Sequence, residues 1–201
     1  MDKIIIPEYT KKEEILNFTT HAVGVVLSII GLLFLNNISS IIFCITLIIL
    51  YLVSCIYHIL PKNNLKKLFR IIDHICVFIL EAGTFTPVCL NMIKGNLGLY
   101  YVVIIWSITI IFSILNLIDV DKYQKISLII HLVMGWSVLI MSRLIIKNTS
   151  IYIFLLLILG GLIYSLGAIF YKIGSSKKYM HTIFHIFCLF GSLFHYLMIK
   201  N

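Results

Sequence analysis

The sequence predicts an all-α integral membrane protein: one bundle of seven transmembrane helices, N-terminus in the cytoplasm and C-terminus outside. Three observations predict it. The 201 residues are 61% hydrophobic and only 12% charged, where a soluble domain carries roughly 25% charged residues. Four stretches, 15–61, 95–118, 148–171 and 179–199, contain no Asp, Glu, Lys or Arg. The basic residues between apolar stretches alternate between crowded and sparse segments along the chain.

A spanning helix takes about 20 residues, and the elements follow in order. The first charge-free stretch holds two spans, about 15–36 and 40–60, hinged at Asn36-Asn37-Ile38-Ser39-Ser40. Pro61 closes the second, because proline cannot continue the hydrogen-bond ladder. Spans at about 71–93 and 126–146 carry a few polar residues, and 96–118, 149–171 and 179–199 complete the seven. Near the end of the third, Gly83-Thr84-Phe85-Thr86-Pro87 predicts a thinned or kinked helix. The loops are short, and the 201 residues leave no room for a soluble domain. No small-residue cleavage site follows the first apolar core, so residues 1–14 read as a cytoplasmic tail and the first span as a retained helix.

Twelve of the sixteen basic residues fall in four alternate segments. Lys3, Lys11 and Lys12 precede the first span; Lys62, Lys66, Lys67 and Arg70 lie in 61–70. Lys122 and Lys125 lie in 119–125, and Lys172, Lys177 and Lys178 in 172–178. Only Lys94, Arg143, Lys147 and Lys200 fall on the other side. The positive-inside rule then places the N-terminus in the cytoplasm. The net charge of +8 is thus spent on orienting helices and meeting anionic lipid, which excludes nucleic acid as a partner. The expected partners are membrane lipids of the cell membrane; no oligomeric state follows. The five cysteines (Cys44, Cys55, Cys76, Cys89, Cys188) lie within spans without C-x-x-C spacing and read as small hydrophobes, not as a disulfide framework.

Ionisable groups at membrane depth are costly and mark functional sites. In this topology His58 ends the second span, Asp73 lies in the first turn of the third, and His181 and His185 lie in the first two turns of the seventh. All four share the depth of the cytoplasmic leaflet. His181 and His185, four residues apart, share one helix face. So do Ser54 and His58, with Ser54 one turn deeper. Three imidazoles and an open position are a common catalytic zinc arrangement. His58, His181 and His185 are therefore the expected Zn2+ ligands, Asp73 the expected proton acceptor, and Ser54 a donor to a carbonyl oxygen or an orienting group. His195 lies ten residues beyond His185, about 15 Å farther along a helix, and is excluded from the same ion. His21, His74 and His131 read first as packing histidines bonded to backbone carbonyls. Glu81 sits near mid-span without a basic partner at its depth, either protonated or facing a polar cavity.

Together these residues resemble the haemolysin III family, the bacterial branch of the progestin and adipoQ receptor (PAQR) proteins, over nearly the whole chain. The landmarks are Glu13-Glu14-Ile15 with Asn17 and Thr20-His21, Ser54-x-x-x-His58, and Asp73-His74 followed by Ala82-Gly83-Thr84-Phe85-Thr86-Pro87. Gly135-Trp136, Gly160-Gly161-x-x-Tyr164-x-x-Gly167 and His181-x-x-x-His185 with His195 complete them. The resemblance implies seven helices with a cytoplasmic N-terminus and a zinc ion on His58, His181 and His185, with Asp73 and Ser54 nearby. Related alkaline ceramidases imply hydrolysis of a lipid amide or ester. The family's name implies instead a pore that lyses cells, and a membrane-homeostasis sensor with structural zinc is a third class. Glu81 departs from the apolar residue that usually precedes the Ala-Gly-Thr motif.

Overall fold

Side-chain caps carried by the sequence set where the helices begin. The computed structural model describes residues 4–174 and 177–201, so the tail's Lys3 lies outside the described residues. Thr10 and Glu13 form a reciprocal capping box that starts α1 (Lys11–Leu32). The Asn37 side chain accepts from the Ser39 amide and starts α2 (Ile38–Ile59), at the hinge expected from the Asn-Asn-Ile-Ser-Ser sequence. The Asn63 side chain accepts from the Lys66 amide and starts α3 (Asn64–Pro87). The chain continues through α4 (Gly95–Trp136), α5 (Ser142–Asn148), α6 (Ile151–Gly174) and α7 (Met180–Lys200). The fold is all-α, with no strand among the described residues. Among the described residues, six helical segments are long and apolar enough to cross a membrane, and the chain is a multi-pass membrane protein.

Two boundaries differ from the sequence expectation. Helix α3 starts at Asn64 rather than near residue 71, so Asp73 lies in its third turn, not its first. Lys66 and Arg70 are therefore helical and buried instead of facing lipid headgroups. Ion pairs make this possible: Lys66 Nζ lies 2.7 Å from Glu14 and Arg70 2.7 Å from Asp121. The second difference is the expected 119–125 loop, which is helical apart from one residue. Asp119 alone leaves helical geometry (φ −161°, ψ 94°) within α4. Even so, the Tyr101 hydroxyl donates to the Ser137 carbonyl at 3.1 Å, and Asn116 to Ser127 at 3.0 Å. Tyr101 and Ser137, 36 residues apart, would lie about 54 Å apart on a straight helix. The chain thus reverses at Asp119, and the two limbs of α4 run back along each other.

The break foreseen near Pro87 is also found. Proline has no N–H to give, and the helix passes there into a π-helical turn over Val88–Ile93. The Thr84 and Thr86 hydroxyls donate to the Leu80 and Ala82 carbonyls just before it.

In lipid the helices have little hydrophobic drive to associate, and small residues allow close approach. A Cβ at Gly24 would come 2.7 Å from the Tyr51 ring, and one at Gly191 2.7 Å from the Tyr164 ring. At Gly160 a Cβ would overlap the His195 imidazole. Helix α7 packs on both α6 and α1, α1 on α2, α2 on α3, and α3 on α4. These helices surround a cavity of about 270 Å³, lined from α1, α2, α3, α4, α6 and α7.

Candidate metal centre

His58 stands in the last turn of α2, and His181 and His185 on one face of the first turns of α7. All three are buried, with one ligating nitrogen of each within 4.8 Å of the others. The Nε2 atoms of His181 and His185 are 3.0 Å apart. That falls inside the separation two ligands of one zinc can have, about 4 Å at most.

The surroundings set which nitrogen of each ring is free. His58 Nδ1 lies 2.6 Å from Glu14 Oε2, where the ring N–H donates to an ionised carboxylate. Its Nε2 is then a bare lone pair, and it is buried with no hydrogen-bond partner among the described residues. The Thr20 hydroxyl donates to backbone carbonyls of its own helix, so its oxygen accepts from His185 Nδ1 at 3.3 Å. This leaves His185 Nε2 as a second lone pair aimed at His181. A hydrogen bond to the far nitrogen is the usual device by which proteins orient imidazole ligands. An orphaned Nε2 and this donor set suit a borderline-soft cation such as zinc. The cluster can hold a metal ion.

Glu14 is itself held. Lys66 Nζ donates to Glu14 Oε1 at 2.7 Å and to the Leu60 carbonyl at 3.1 Å, with the lysine side chain only 2% exposed. Helix α7 is placed from the same end of α1. Tyr179, just before it, takes a left-handed conformation (φ 63°), and its amide donates to Glu13 Oε1 at 2.8 Å. Thr182 donates to the buried Asn17 Oδ1 at 2.5 Å. Over the cluster lies Tyr9, stacked on His181 with ring centroids 5.0 Å apart. Burial pushes its phenol well above its ordinary value, so the ring covers the site as a neutral group.

Asp73 and Ser54 face the cavity that His181 and His185 also line, and the Ser54 side chain is turned to the Asp73 carboxyl. His195 lies apart from the trio, with Nε2 3.3 Å from the Leu157 carbonyl. The other histidines are not the simple packing residues expected. His21, His74 and His131 all line the cavity. The His21 ring lies 3.8 Å from that of His185, and His131 pairs with Glu81 at 2.8 Å. Glu81 thus has the partner that its position in the sequence did not reveal.

Glu14, Thr20 and Tyr9 carry no site role in the sequence reading, and Lys66 carries only that of a loop cation. One signal was available: Glu14 enters α1 at the depth where His58 leaves α2, so a carboxylate and an imidazole meet at one end of neighbouring helices. Lys66 was masked by being read as a loop cation.

Comparison with known proteins agrees with this architecture. A family profile described as haemolysin-III related matches residues 9–196. The chain is 37% identical to a hemolysin-3 homolog of Bacillus subtilis (strain 168) over 195 residues, covering 92% of this chain and 91% of that protein. It is 34% identical to hemolysin-3 of Bacillus cereus over 192 residues, 90% of this chain and 87% of the relative. Similarity reaches the human monocyte to macrophage differentiation factor, a PAQR protein, at 27% identity over 92% of this chain and 82% of that protein. No solved structure matches. With the profile spanning every helix that builds the histidine cluster, the chain belongs to the haemolysin-III-related family.

Proposed function

We propose that the chain is a zinc-dependent hydrolase of a lipid amide or ester, spanning the cell membrane seven times with its N-terminus in the cytoplasm. The reversal at Asp119 supports the count, since it divides the 54-residue segment Gly95–Asn148 into two antiparallel crossings. Placing twelve of sixteen basic residues on the side of the N-terminus supports the orientation and puts the histidine cluster in the cytoplasmic leaflet.

One observation carries the catalytic reading. His181 and His185 line the same cavity as a carboxylate, Asp73, while His58 offers a buried, unpartnered Nε2 to the same point. His58, His181 and His185 would hold the ion. Zinc supplies Lewis acidity, which acidifies water and polarises a carbonyl. Asp73 accepts a proton from the attacking water as its oxygen bonds to the carbonyl carbon. The same proton then passes to the leaving nitrogen or oxygen as the C–N or C–O bond breaks. Ser54 holds the Asp73 carboxyl in place. The apolar wall of the cavity receives the hydrocarbon chain and keeps bulk water out.

The experiment uses purified wild type and Asp73→Asn. Zinc content should be equal in the two, while hydrolysis across a panel of ceramides and phospholipids should fall at least a hundredfold in the variant, on the order of what a positioned base contributes. Dye leakage from liposomes is measured on the same samples. Zinc-independent leakage without lipid product would replace the hydrolase with a pore. Bound zinc with neither leakage nor turnover would leave a structural-zinc sensor.

A further inference from the structure

Above the metal centre the cavity wall carries a second polar pair. Glu81 of α3 and His131 of the second limb of α4 meet at 2.8 Å through Oε2 and Nδ1. Glu81 stands eight residues beyond Asp73, about 12 Å farther along α3. Both side chains line the cavity and stay partly open, 14% and 20% exposed. The Gly135 backbone also hydrogen-bonds the Glu81 carboxyl, so their mutual bond leaves His131 Nε2 for another partner. Phe78 holds the imidazole from the other side, with ring centroids 3.7 Å apart. The nearby wall is apolar, with Val77, Leu128 and Leu132.

A buried ion pair is poor cement, because apolar residues of similar size in its place are often as stable or more so. Partly satisfied polar groups inside a membrane bundle mark a ligand path. The chemistry they ask for can be narrowed. If His131 donates to Glu81, Nε2 is left as an acceptor; if a protonated Glu81 donates to His131, Nε2 carries a hydrogen and donates. A hydroxyl both donates and accepts, so it satisfies Nε2 in either state, and an ammonium satisfies only the first. A hydrocarbon chain reaching from the metal centre into this cavity would set a mid-chain substituent beside the pair.

We propose that Glu81 and His131 form a specificity subsite for a hydroxyl carried part-way along the acyl chain of a lipid. This rests on the hydrolase reading for the placement of the chain's head at the histidine cluster. The test therefore measures binding without turnover. Radiolabelled oleic acid is bound to the full-length, metal-stripped protein in detergent and displaced by unlabelled oleic acid or by ricinoleic acid, which differs by one mid-chain hydroxyl. Ricinoleic acid should compete on the order of tenfold better, as one buried or charge-assisted hydrogen bond provides. Glu81→Leu and His131→Phe should each abolish the preference while binding oleic acid as before. Equal competition in the wild type, no displaceable binding, or a preference surviving in both variants would overturn the subsite. A ricinoleic preference that persists in Asp73→Asn, together with a wild type that hydrolyses nothing, would refute the hydrolase and leave the subsite standing.

Discussion

Glu14 shows how one carboxylate can serve two purposes. It accepts a hydrogen bond from His58 Nδ1–H at 2.6 Å and neutralises the buried Lys66 at 2.7 Å. Glu14→Ala therefore removes the orientation of one ligand and strands a buried ammonium. Zinc affinity should fall about 10–100-fold, the usual effect of losing the partner of a ligating imidazole, and stability should drop by about 3 kcal/mol. Metal titration and thermal unfolding in detergent separate the two losses, because the double variant Glu14→Ala/Lys66→Met should recover much of the stability but none of the affinity. Unchanged zinc affinity in Glu14→Ala would show that His58 orients itself. The ligands make a sharper pair. Wild type should carry about one zinc per chain; His185→Ala should lose most of it, and His195→Ala should keep it, because His195 is committed to the Leu157 carbonyl. Equal loss from both would break the assignment of ligands.

Helix contacts here are set by glycine faces, and Gly160-Gly161 gives an internal control. A Cβ at Gly160 would run into the His195 ring where α6 meets α7, while one at Gly161 meets nothing within 4 Å. Gly160→Ala should cost about 1–3 kcal/mol, as overpacking typically does, and lower the melting temperature by several degrees. Gly161→Ala should leave it unchanged or slightly raised, since alanine suits a helix better than glycine. If the two alanine variants melt together, the α6–α7 contact is looser than the structure has it. The same scale shows why α3 was misread. A run containing Lys66, Lys67 and Arg70 looks like a solvated loop until the acids that neutralise two of those cations, Glu14 and Asp121, are placed beside them.

The bundle as a whole makes a topological prediction. In a cysteine-free background, Lys62→Cys should resist impermeant thiol reagents applied to intact cells, whereas Asn201→Cys should react. The reverse pattern would move the histidine cluster to the outer leaflet. Metal should also matter to the whole molecule, because the cluster ties α7 to α2. Zinc at a hundred times its dissociation constant should stabilise the fold by about 2.7 kcal/mol, and chelation should remove that gain. In His58→Ala the melting temperature should respond far less to zinc; an undiminished response would place the ion elsewhere.

Membrane character, the hinge at Asn37, the break near Pro87 and the convergence of His58, His181 and His185 were all legible in the sequence. The reason is that each depends on local or one-dimensional information. Apolar length sets a span, proline and asparagine set its ends, and depth follows from counting residues from those ends. A histidine pair four apart needs only the helical repeat to share a face. Tertiary structure alone decided the rest, because it depends on rotation and on partners distant in sequence. Depth puts Glu14 level with His58, but only the packing of α1 on α2 turns the two side chains together. Glu81 found His131 across 50 residues, and four histidines read as packing groups or set apart from the ion came to line one cavity. The turn at Asp119 was the subtlest case: six charged or polar residues in 119–125 suggested a loop, yet a single residue's change of φ and ψ reversed the chain.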